Sequence, residues 1–188
     1  MKALDRLLQR WRIRKAAPYV DESARVLDVG CADGALFRLF GERVREGVGI
    51  DADLPSRITL TNAELLPGVF PEALPSRAPF DVITMMAVLE HVPRERQSVV
   101  AQGCYENLKP GGFLVITTPS PLVDHLLDFL KFVRLIDGMS LEEHYGFEPE
   151  QTPGIFTSHG FQMVLARKFQ LGLNNLFVFR RVSEEAPG

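Results

Sequence analysis

Val26-Leu27-Asp28-Val29-Gly30-Cys31-Ala32-Asp33-Gly34 is the stretch on which the fold turns. Arg25 to Val29 is a short apolar run with β-branched residues, read as a strand, and it enters a turn at Gly30. Ala35 to Phe40 then reads as a helix. A strand that runs into a glycine-containing turn and opens a helix brings backbone close to a ligand and offers it unpaired N–H groups. In open α/β sheets ligands bind beyond the carboxyl ends of the strands, at the switch point. Asp51 closes the next strand, 21 residues after Gly30. A carboxylate there can accept two hydrogen bonds from ribose hydroxyls.

The pattern continues outward from this stretch. Gly47 to Ile50 reads as a second strand, residues 54–64 as a short helix with Asp53 at its N-cap, and Leu66 to Phe70 as a third strand. Phe80 to Met86 is a buried strand in which Met85 and Met86 are core residues. Pro93 to Leu108 is a helix with proline at its start, Pro110-Gly111-Gly112 a turn, and Phe113 to Thr118 another buried strand. Alternating strands and helices mean βαβ units and a parallel sheet covered on both faces. Phe161 to Phe169 and Asn175 to Val182 are two strands separated only by Gln170–Asn174, too short for a crossover, so they pair antiparallel. The expected architecture is α/β: a Rossmann-like, doubly wound, mostly parallel sheet ending in an antiparallel hairpin.

Composition bounds the rest. The chain has 188 residues, 46% of them hydrophobic and 24% charged, with a net charge of −3. That is one globular domain with a real core. No apolar run reaches the ~20 residues of a membrane span, and charges break the first twenty residues, unlike a signal peptide. Two cysteines, Cys31 and Cys104, give neither a disulfide framework nor a zinc site, which points to a reducing cytoplasm. The mild acidity argues against a nucleic-acid binder that works by bulk charge.

The turn alone leaves two cofactors open. Gly30, Ala32 and Ala35 half-satisfy the dinucleotide spacing G-x-G-x-x-G/A, so NAD and an NAD-linked oxidoreductase stay in view. Asp28 favours S-adenosylmethionine: a carboxylate inside the strand would repel a pyrophosphate and suits a ligand carrying a sulfonium and an ammonium.

VLDVGCADG (26–34), GVGIDAD (47–53), FDVITMMAVLEHV (80–92) and LKPGGFLVITTP (108–119) together resemble the successive motifs of class I S-adenosylmethionine-dependent methyltransferases. The likeness is to the group of quinone-biosynthesis and other small-molecule methyltransferases. It covers about residues 25–120 and implies a seven-stranded sheet whose last strand is antiparallel. It also implies that Gly30, Gly34 and Cys31 line the methionine half of the cofactor and that Asp28 orients its ammonium. Asp51 would hold the ribose, the Ala52 backbone would lie near the adenine, and Ala87 close to the methionine part. Two positions depart from the family. Its middle glycine is Ala32, and its frequent Gly-Asp-Ala after the third strand is Gly68-Val69-Phe70, so the adenine contact passes to backbone, Phe70 or Glu72.

The resemblance divides the chain into an N-terminal helix (1–24), a cofactor half (25–120), a substrate lid (121–150) and a closing helix and hairpin (151–182) within one domain. Little remains to choose the acceptor, a small molecule that is lipid-linked or saccharide-like. Related enzymes place substrate-facing residues in the stretch holding His144 and Tyr145, with His144 a candidate base. His91 either does catalytic work or shapes the pocket with Glu90. Cys31 is a packing residue, His125 likewise, and His159 a helix C-terminal residue. Residues 122–136 form an apolar helix, read as buried against the sheet, as a lid, or as resting on a membrane. Leu4, Leu7, Leu8 and Trp11 at helical spacing make the first segment amphipathic. Its six basic residues against one Asp form a solvated face or a peripheral contact with anionic lipid through residues 1–15. A non-catalytic partner subunit of the same fold is the remaining alternative.

Overall fold

The structure, a computed structural model, describes residues 3–76, 78–120 and 147–183. Its helices are α1 (Ala3–Arg14), α2 (Ala35–Phe40), α3 (Arg94–Asn107) and α4 (Thr152–Thr157). The strands are β1 (Ala24–Val29), β2 (Val44–Asp51), β3 (Ile58–Thr59), β4 (Ala63–Pro67), β5 (Phe80–Met86), β6 (Leu108–Pro119), β7 (Phe161–Phe169) and β8 (Asn174–Arg181). They form one eight-stranded sheet in the order β3-β4-β2-β1-β5-β6-β8-β7. The inner pairs β4·β2, β2·β1, β1·β5 and β5·β6 are parallel. Both β8 contacts are antiparallel, as expected of a closing hairpin.

Alternation along the strands builds two cores. Leu27, Ile83, Leu114, Ile116, Phe177 and Phe179 face α3 and α4 with Val100, Cys104 and Phe156. Val26, Val82, Val115 and Val178 face the opposite side, with Ile13 and Ala16 from the α1 end and Leu36 and Phe37 from α2. Strands buried on both faces read as continuous apolar runs, which is why β1 and β5 stood out in the sequence. The chain leaves β1 toward β2 and β4 and returns to β5 on β1's other side. That reversal opens a crevice at the carboxyl ends of the strands.

Residues 54–64 differ from the expectation. No helix forms; Ile58–Thr59 is a short strand antiparallel to β4, which supplies the eighth strand. Asp53 is therefore not an N-cap, and its N–H donates to Asp51 Oδ1 at 2.9 Å. β4 starts three residues earlier than read, at Ala63, and Gly68-Val69-Phe70 lies beyond its end. β6 runs through Pro110-Gly111-Gly112 instead of starting after it. His125, His144, Tyr145 and the helix read at 122–136 lie outside the described residues.

Candidate functional site

A cavity of about 940 Å³ fills the crevice. The turn after β1 forms its floor. Gly30 has φ +72°, and a Cβ there would come within 2.2 Å of Val88 Cγ2, so only glycine fits below the loop that follows β5. The Gly30 N–H donates to the Ile50 carbonyl at 2.8 Å and the Ala32 N–H to Asp51 Oδ2 at 2.8 Å. Asp51 thus ties the first turn to the end of β2 before any ligand arrives. A carboxylate has about four acceptor positions, so two remain for a diol. Ala32 takes φ +44°, a left-handed conformation its methyl group disfavours.

Asp28 lies deeper, 4% exposed and lining the cavity. Its Oδ1 accepts a 2.7 Å hydrogen bond from Thr84 Oγ1. Burial pushes its pKa up to about 7; the Thr84 hydrogen bond works against the rise and the negative charge of Asp51 adds to it. Such a carboxyl is poised to ionise when a cation enters. Cys31 is buried in the same wall, and burial raises its thiol pKa, so it is a poor nucleophile. Gly49 makes room for it: a Cβ there would lie 2.6 Å from Cys31 Sγ.

The other walls come from the loops after β2, β4 and β5 and from the neighbouring helices. Ala52 follows β2; Gly68, Val69 and Phe70 follow β4; Ala87 and Val88 follow β5; His91 closes the short 3-10 helix Leu89–His91. Ala87 has φ +62° and its N–H donates to the Thr117 carbonyl at 2.9 Å. Of the residues singled out in the sequence, the cavity brings together Asp28, Gly30, Cys31, Asp51, Ala52, Phe70, Ala87 and His91. Met85 and Met86, expected as core residues, also reach it. Gly34 does not line it; its Cα faces Leu60 and Leu65 behind the turn. Glu72 does not line it either and pairs with Arg96 at 2.8 Å. His159 lies at the end of α4, where Nδ1 meets the Ile155 carbonyl at 2.7 Å.

Sequence reasoning missed Gln9, Arg12 and Ile13 of α1 and Arg96 of α3, all in the wall. Gln9, Arg12 and Ile13 stand at i, i+3 and i+4, so they share one helix face. That spacing was visible, but the stripe of leucines on the other side drew the reading. Arg12 also acts on Glu90. Burial, at 2% exposure, drives the Glu90 pKa up to about 7, with its own backbone N–H and the Arg12 charge opposing the rise.

The model of a family described as "Methyltransferase domain" matches residues 2–166. A ubiquinone biosynthesis O-methyltransferase of Pseudomonas entomophila (strain L48) is 32% identical over 105 residues, 50% of this chain and 44% of that protein. Its counterpart from Leptothrix cholodnii (strain ATCC 51168 / LMG 8142 / SP-6) is 34% identical over 108 residues, 52% and 45% of the two chains. The match thus spans somewhat under half of these curated relatives. Among solved structures, N-methyltransferase NodS from Bradyrhizobium japonicum WM9, in complex with S-adenosyl-L-homocysteine, superposes with a TM-score of 0.67 at 16% identity. That likeness covers 93% of this chain and 87% of that one.

Proposed function

The chain belongs to the methyltransferase domain family, and from that premise we propose that it binds S-adenosylmethionine and transfers its methyl group to a small-molecule acceptor. The observation that carries this is Asp28, a nearly inaccessible carboxyl aimed at the cavity from inside a strand. A buried carboxylate needs a cation beside it, and the ammonium and sulfonium of this cofactor supply one. A dinucleotide pyrophosphate would place like charge there, which disfavours NAD.

The other donors fit the same ligand. Asp51 keeps acceptor capacity for a ribose diol, Arg12 is a cation for the carboxylate of the methionine end, and Phe70 offers a flat apolar face for the adenine. When bound, S-adenosylmethionine supplies an electrophilic methyl group and leaves as a neutral thioether. The chain's own work is therefore mainly to align the acceptor and exclude water. The relatives named as ubiquinone biosynthesis O-methyltransferases support a hydroxyl acceptor; a lipid-linked or saccharide-like molecule is the acceptor class of this proposal. Such an acceptor must lose a proton, and His91, on the cavity rim, is the described histidine in position to take it. Free Cys31 and Cys104 suit a reducing, cytoplasmic setting.

Calorimetry with S-adenosylmethionine, and a thermal-shift comparison against NADH, test the cofactor. Saturable binding of the former in the micromolar range is expected, and stabilisation by NADH alone would overturn the reading. Transfer of a labelled methyl group into a cell extract tests catalysis; cofactor binding without any transfer would leave a non-catalytic partner subunit.

A further inference from the structure

We propose that the outer face of α1 and the β7–β8 turn form one surface that seats on an anionic lipid bilayer. This goes beyond the methyl-transfer reading and does not depend on it.

α1 has two faces. Gln9, Arg12 and Ile13 look into the cavity. On the opposite side Leu7 is 60% exposed and Trp11 44%, with exposed Arg10 and Arg14 flanking them. An amphipathic helix of a globular protein normally turns its leucines and tryptophan inward. Here the inward anchor is Ile13, and Leu7 and Trp11 face solvent.

The turn between β7 and β8 shows the same inversion. Leu171 is 98% exposed and holds φ +57°, directly after Gln170 at φ +51°. Consecutive left-handed positions in a hairpin turn favour Asn or Gly. A leucine there carries backbone strain and covers nothing in the fold. The turn is joined to α1: Gln170 Nε2 donates to the Leu8 carbonyl at 3.3 Å, and Lys15 Nζ lies 5.2 Å from the centre of the Phe169 ring. Leu171 therefore stands on a turn that is tied to α1, the helix that carries Leu7 and Trp11.

Charge selects the occupant. Residues 1–20 and 159–183 hold ten of the 21 lysines and arginines but one of the 24 aspartates and glutamates. Of these cations, Arg10, Arg14 and Lys15 lie on α1 or just past its end, and Arg167 and Lys168 lie on β7 shortly before the turn, whereas Arg12 faces the cavity and Arg180 and Arg181 sit at the far end of β8 beside Gly111 and Leu108. Apolar side chains that reach the acyl boundary, tryptophan at headgroup depth and flanking cations are what an anionic membrane surface binds. A nucleic acid would use the cations and leave the leucines in water.

Trp11 is the single tryptophan of the chain, so it reports its own environment. With vesicles of equal parts phosphatidylglycerol and phosphatidylcholine, Trp11 emission should shift to the blue and the protein should co-sediment. Added salt should weaken both, and phosphatidylcholine vesicles should give neither. Leu171→Asn suits the turn's backbone, so it should fold at least as well yet bind vesicles about tenfold more weakly. Leu7→Gln should act in the same direction, and both variants should keep wild-type cofactor affinity. The proposal is overturned if anionic vesicles produce no shift and no sedimentation, or if both variants bind as the wild type does. A blue shift that grows with protein concentration without lipid would also overturn it, by assigning the face to self-association. The vesicle assay needs no cofactor, so its failure is separate from a failure of the methyl-transfer reading.

Discussion

Thr84 Oγ1 and Asp28 Oδ1 meet at 2.7 Å at the bottom of the cavity, joining β5 to β1 across the point where the sheet reverses direction. This bond holds the carboxyl in place for a cation. Burial of that carboxyl, which the bond only partly offsets, makes the site sensitive to pH in two opposite ways.

The ligand-free protein should lose stability as pH rises through about 7. Asp28 and Glu90 both have folded pKa values near 7, above their ordinary 3.8 and 4.5. A carboxyl with a raised folded pKa binds its proton more tightly when folded. Its contribution is therefore full below about pH 4 and is lost as pH climbs through the folded value. The melting temperature should be lower at pH 8 than at pH 6, and Asp28→Asn should flatten the slope. If it does not, Asp28 is not the titrating group.

Cofactor affinity should run the other way. A cationic ligand prefers ionised Asp28, so affinity should rise by up to about tenfold per pH unit below 7 and level off above it. Calorimetry in two buffers of different ionisation enthalpy should show proton release on binding at pH 6 and little at pH 8. Thr84→Val removes the hydrogen bond that favours the carboxylate and should move this transition upward.

Asp51→Ala should weaken S-adenosylmethionine binding by about 10- to 100-fold, the ~1.5–3 kcal/mol of hydrogen bonds to a charged group. It should leave the protein folded, because the Ala32 and Asp53 N–H groups it frees lie at exposed residues that water can reach. Isothermal calorimetry with a parallel denaturant melt separates the two effects. Unchanged affinity would remove Asp51 from the ribose contact.

Gly30→Ala should destabilise by about 2–4 kcal/mol, from the left-handed backbone and the overlap with Val88. Val88→Ala in the same chain should recover part of that loss, which a double-mutant cycle in urea would read. Ala32→Gly is the converse case. With φ +44° and no role for its methyl group, glycine there should stabilise by roughly 0.5–1 kcal/mol.

The parts of the fold legible in the sequence were those with one dominant local signal. β5 and β7 match their predicted bounds to the residue: β5 is a buried apolar run with β-branched residues, and β7 is held between Gly160 and the short Gln170–Asn174 connection. The 54–64 segment misled because Asp53, Leu54 and Pro55 imitate a helix start, whereas Ile58 and Thr59 pair with β4. At the site, Asp28, Asp51 and Gly30 were legible because their spacing from the strand ends fixes where they point. Arg12 was not: four arginines on one short helix look alike until the sheet decides which face is covered. The same blindness hid the outward direction of Leu7 and Trp11.

The hydrogen bond from Gln170 to the Leu8 carbonyl spans 162 residues of sequence. The Gly30 turn lies between β1 and β2, its neighbours in the chain, but α1, which brings Arg12 to the cavity wall, is braced by the distant β7–β8 turn. The wall carrying Arg12 thus depends on a contact between segments far apart in the chain, which costs more loop-closure entropy to form than the local pairings around it.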